Sequence, residues 1–120
     1  DIPDWATAIK ISTEEVLGGN KPETFEEACN VLGNALIELL ISKNRKYGKG
    51  NILGSERFGV APKQALMIRE NDKTERICNG LKGADLGLEG FVESFGDKAG
   101  YSMIGIMLEL GWYNLPLKEK

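Results

Sequence analysis

Histidine is missing from this chain of 120 residues, and cysteine is scarce, with two. Without imidazole there is no Ser–His or Cys–His nucleophile and no histidine metal ligand. Any chemistry must run on carboxylates, Lys, Arg, Tyr, hydroxyls or a bound metal. Cys29 and Cys78 fall inside helical patterns and match neither a disulfide framework nor a zinc ligand spacing. They read as reduced, buried thiols of a cytoplasmic protein. Long apolar runs are missing too. "ALIELLI" (Ala35 to Ile41) contains Glu38, and "MIGIMLELGW" is interrupted by Gly105 and Glu109. Neither reaches the ~20 apolar residues of a membrane span, so no membrane partner is expected.

Net charge is −3, and it is unevenly spread. Residues 1–42 hold two cations and eight acids, residues 43–82 ten cations and four acids, and residues 83–120 three cations and six acids. A nucleic-acid-binding domain is usually basic overall, so nucleic acid is not the expected partner. A basic middle in an acidic body suits a small anion, with phosphate the leading choice. The alternative is that these cations neutralise the acidic helices flanking them.

Apolar residues recur at helical spacing along most of the chain, which predicts an all-α bundle in one domain. Residues 1–22 read as a variable lead-in: a short helix through "WATAIKI", then a second with Ser12 or Thr13 as N-cap and Gly18 as its stop. The bundle spans 23–115 and has three main helices. The first runs from about Phe25 to Arg45, with Thr24 and Glu27 as a capping box, and dies at Tyr47-Gly48. The next starts at Pro62 and is capped near Gly83. The last runs from near Glu89 to about Gly111, and its Gly96, Gly100 and Gly105 imply close approach by a neighbour. Between the first two lies "KNRKYGKGNILGSERFG", Lys43 to Gly59, with five basic residues, four glycines and one acid. A short extended piece is expected in its second half.

Three groups of residues are candidates for chemistry. Glu93 and Asp97 stand one turn apart on a largely apolar helix. Facing inward they would repel each other, and magnesium would relieve both the repulsion and the poor solvation. Glu38, set in the most apolar run, is a third candidate ligand and Asp72 a fourth. The alternative is a solvated acidic face. Arg69, Asp72, Lys73 and Arg76 share one helix face, either as an exposed ion-pair stripe or as a set of phosphate donors. In the glycine-rich stretch, Lys43, Lys46, Lys49 and Arg57 bracket freed backbone amides, an arrangement that suits an anion. Tyr47 and Phe58 either stack on a base or anchor the loop.

These stretches carry a resemblance. Lys43 with Tyr47-Gly48, then Arg69 with Asp72-Lys73 and Arg76, then Asp97 with Gly100-Tyr101, follow one another as in the phage and prophage family called nucleotide-modification-associated domain, type one. The resemblance covers about two thirds of the chain. It implies a helical domain associated with nucleotide metabolism or DNA modification, with Tyr101 joining the nucleotide-binding set. A weaker likeness is to the all-α nucleotide pyrophosphohydrolases of the MazG type, through Glu93 and Asp97. There Ser94 stands where the nearer Glu would be, and Glu26, Glu27 and Glu38 make only a sparse first motif. The likeness implies magnesium-dependent hydrolysis of a nucleoside triphosphate, with Glu93 and Asp97 as the catalytic pair. Helices this apolar also lead us to expect a homo-oligomer. The rival expectations are a non-catalytic nucleotide binder that sequesters a signal, and a structural or adaptor bundle.

Overall fold

The computed structural model describes residues 1–87 and 90–119. The fold is all-α, as expected. Its elements are α1 (Trp5–Leu17), α2 (Phe25–Tyr47), a one-turn α3 (Gly50–Leu53) running into a 3-10 turn (Gly54–Phe58), α4 (Pro62–Leu81) and α5 (Phe91–Leu110). The expected start of the last helix at Glu89 lies outside the described residues.

The lead-in is one helix rather than two. Ser12 is not a cap; it is buried, its hydroxyl donates to the Val31 carbonyl at 2.6 Å, and it accepts from the Asn34 amide at 3.0 Å. That small polar knot pins α1 to α2. The start of α1 is unusually complete. The Asp4 carboxylate accepts from Thr7 N, and the Ala8 amide bonds the Asp4 carbonyl. The two amides left over, Trp5 and Ala6, donate to the two oxygens of Glu93 at 2.8 and 2.9 Å. A helix N-terminus leaves such amides without intrahelical partners, and here a carboxylate from α5 supplies them.

Thr24 accepts from Glu27 N at the start of α2, and the Glu27 carboxylate accepts from the Thr24 hydroxyl and from Glu23 N rather than from the Thr24 amide. Gly48, at φ +70°, ends α2 in a backbone conformation that L side chains rarely adopt. Beyond it the expected extended piece is instead the α3 and 3-10 pair. Ser55 holds that segment closed: its hydroxyl lies 2.7 Å from the Val60 carbonyl and 2.9 Å from the Ile52 carbonyl, with its one proton shared between them.

Two helical hairpins result, α1 with α2 and α4 with α5, and α5 joins them by also meeting α1 and α2. The core is correspondingly split. Trp5, Ala8, Ala35 and Leu39 form one cluster; Ile52, Leu66 and Tyr113 form the other. Gly96 is where the first cluster reaches α5. A Cβ there would lie 2.4 Å from the Trp5 indole, so the ring occupies the space a side chain would need. Cys29 and Cys78 are exposed, not buried as expected. No helix is long and apolar enough to cross a membrane among the described residues.

Candidate functional site

The end of α2, the turn after it, α5 and the C-terminal tail border a half-open cavity of about 460 Å³. This is within the usual range for small-ligand sites, about 300–1,000 Å³. Its wall is built of Leu40, Ile41, Ile52, Ile104 and Met107, with Leu115 and Leu117 from the tail. Four aromatic rings stand around it: Tyr47, Tyr101, Trp112 and Tyr113. Lys43 and Lys49 are the only charged side chains on the wall among the described residues. Gly48 explains how both cations arrive there. At φ +70° and ψ −159° it breaks the helix, and Lys43 on the last turns of α2 and Lys49 beyond it both line the same hollow.

Tyr113 is the buried side of this site. Burial pushes its phenol above its ordinary ionisation range, against a smaller downward pull from the Arg69 charge. Lys49 holds its ammonium 5.9 Å from the Tyr113 ring centre and donates to the Asn44 side-chain oxygen. A protonated lysine over a ring face is itself a favourable contact.

Asp97 lies beside the cavity, in a small void of about 50 Å³ that shares Leu40, Lys43, Tyr101 and Ile104 with it. One carboxylate oxygen is 2.9 Å from Lys73 Nζ, the other 3.6 Å from Lys43 Nζ. Three helices therefore meet at one carboxylate: α2 through Lys43, α4 through Lys73 and α5 through Asp97.

The expected residues divide accordingly. Lys43, Tyr47, Lys49 and Tyr101 gather at the cavity, and Lys73 joins them indirectly through Asp97. Lys46 does not. It turns to Asp1 at 3.5 Å, sits 5.5 Å over the Tyr47 ring, and lines a separate groove with Glu38 and Arg45. Arg69 donates to the Asn51 carbonyl at 3.3 Å and lines a different groove with Asp72, Arg57 and Phe58. Arg76 reaches the Leu86 carbonyl, one helical end away. The supposed phosphate face of α4 is thus distributed over three places. Helical spacing put Arg69, Lys73 and Arg76 on one side, but a helix of this length passes three different neighbours.

The four carboxylates expected to hold magnesium are not gathered. Glu93 spends both oxygens on the α1 amides, and Asp97 is bridged by two lysines. Glu38 and Asp72 lie in two other grooves. Among the described residues no group of three or more acidic, cysteine or histidine side chains converges to hold a metal ion. The residues present do not fit the magnesium site that the resemblance implies. The repulsion expected between Glu93 and Asp97 is relieved here by the Trp5 and Ala6 amides and by the Lys73 and Lys43 ammonium groups.

Trp112 and Tyr113 were missing from the expected site. The signal was the aromatic pair in "GWYNLPL", which follows the stop glycine of α5 and reads as a tail leaving the bundle. Gly111, at φ +74°, turns that tail back over the cavity. No family model, curated protein or solved structure matches the chain at a significant level.

Proposed function

We propose that this domain is a nucleotide-binding protein that works without catalysis, taking its ligand in the cavity between α2, α5 and the tail. The observation that carries this reading is the wall itself: an apolar hollow with four aromatic rings and two lysines. Aromatic faces accept a base by stacking, and ammonium groups accept phosphate oxygens. The resemblance at Lys43, Tyr47-Gly48, Asp97 and Gly100-Tyr101 supports the same ligand class. Hydrolysis is the less supported reading, because it asks Glu93 and Asp97 for a metal and their oxygens are engaged elsewhere.

Calorimetric titration with nucleotides, in EDTA and then in magnesium, tests this, with the mixtures analysed afterwards for products. Saturable binding in EDTA with the nucleotide recovered intact is expected. Turnover in magnesium would restore the hydrolase reading, and silence throughout would favour an adaptor bundle.

Self-association belongs to the same proposal. Val92, Phe95, Ala99, Ile106 and Leu110 follow one another at spacings of three, four and seven along α5, and all are exposed. That is the periodicity of a helix–helix seam. Sedimentation should give a dimer, and Phe95→Lys a monomer; a monomeric parent chain would remove this part.

A further inference from the structure

Resting on the nucleotide-binding reading, we infer that the groove adjoining the cavity at Asn51 is an anion subsite, where Arg57 and Arg69 take a phosphate that the nucleotide carries past the cavity. Asn51 lines both hollows, so they meet at α3. Arg69 stands at that junction. It donates to the Asn51 carbonyl at 3.3 Å, and its charge also reaches the Tyr113 phenol on the cavity wall. Arg57 is fixed by the same short segment: its Nε donates to the Gly54 carbonyl at 3.2 Å. The two guanidinium groups are thus anchored on carbonyls one helical turn apart. Gly54 leaves Arg57 room to fold back, since a Cβ there would lie 3.1 Å from the guanidinium.

Each guanidinium spends one N–H on its carbonyl and keeps the others of its fork. Among the described residues neither has a carboxylate within 4.0 Å. Anchored forks without an acid partner suit phosphate, whose oxygens accept paired charge-assisted bonds. Asp72 is the third charged side chain of the groove; it is exposed, forms no ion pair among the described residues, and opposes an anion there. The passage between the hollows is low. Gly48 borders the cavity and Gly50 the groove, and a Cβ added at either would meet nothing within 4 Å. A base among the aromatic rings can therefore lay its phosphate arm past Lys49 and over Asn51 to the two arginines.

The test is a calorimetric series of adenosine, AMP, ADP and ATP, repeated with the guanine series, all in EDTA. The triphosphate should bind about tenfold tighter than the monophosphate of the same base. Arg57→Gln should narrow that ratio and Asp72→Asn should widen it; both positions are exposed, so neither change asks the core to repack. Lys10→Gln removes the same charge from α1, outside both hollows, and should leave the ratio as it is. A triphosphate bound no tighter than the monophosphate would overturn the subsite and leave nucleotide binding standing. A ratio unmoved by Arg57→Gln and Asp72→Asn, or moved as far by Lys10→Gln, would also overturn it. Failure of every nucleotide and nucleoside to bind would remove the functional reading, and this inference with it.

Discussion

The carboxylate of Asp97 lies 2.9 Å from the ammonium of Lys73, and this pair ties α5 to α4 while the other oxygen faces Lys43 of α2. Both partners are largely sheltered from solvent, so the contact is screened less than a surface pair. Asp97→Ala should lower the unfolding free energy by about 1–3 kcal/mol, because it removes the carboxylate that joins Lys73 of α4 and Lys43 of α2 to α5. Replacing Lys73 by Met as well should recover part of that loss. Denaturant unfolding of the four members of this double-mutant cycle measures the coupling, and additivity would mean the pair does nothing for stability.

Glu93 acts as the external cap of α1. Glu93→Ala strands the Trp5 and Ala6 amides and should cost about 1–2 kcal/mol, close to the loss of a strong N-cap. The effect should concentrate in α1. Hydrogen exchange at Trp5 and Ala6 should accelerate far more than exchange in the middle of α4. Uniform acceleration would contradict a local capping role.

Gly96 holds its place because of the Trp5 ring. Gly96→Ala puts a methyl group 2.4 Å from the indole, which is inside van der Waals contact. Overpacking of this kind costs about 1–3 kcal/mol, more than the helix propensity gained from Ala. Thermal unfolding should therefore show a lower midpoint for Gly96→Ala. The double variant Gly96→Ala with Trp5→Leu should show a smaller penalty from the added methyl, and an equal penalty would place the strain elsewhere.

Tyr113 predicts an alkaline limit. Burial raises its folded ionisation above the unfolded value of about 10, so the folded state holds the phenol proton more tightly. That contribution to stability is complete below about pH 10 and is lost as pH rises through the folded value. Unfolding free energy should fall above pH 10 more steeply in the parent chain than in Tyr113→Phe. Matching slopes for the two proteins would remove Tyr113 from the linkage.

Local rules made much of the fold legible. The N-cap at Thr24, Pro62 at the head of α4, and the stop glycines Gly18 and Gly48 all act within a few residues of themselves, and each holds; the reciprocal half of the capping box goes instead to Glu23 N. Ser12 misled because a hydroxyl ahead of acids looks like a cap, while its partner, the Val31 carbonyl, is nineteen residues away. The partners of Glu93 and Asp97 are likewise distant in the chain. Spacing shows that two carboxylates share a stripe of α5, but not that one end meets the start of α1 and the other two lysines from α2 and α4. Half of the cavity was visible, in Lys43, Tyr47, Lys49 and Tyr101. The other half, Trp112 and Tyr113, comes from a tail whose return path is set by packing rather than by local periodicity.

Isotope-edited NMR titration with AMP in EDTA tests the central claim most directly, since each aromatic ring of the cavity can be followed separately. The account predicts saturable shifts at Tyr47, Tyr101, Trp112 and Tyr113, with Lys43 and Lys49 moving in step and the Arg76 end of α4 unmoved. Shifts confined to Arg57, Arg69 and Asp72 would place binding in the other groove and contradict the account.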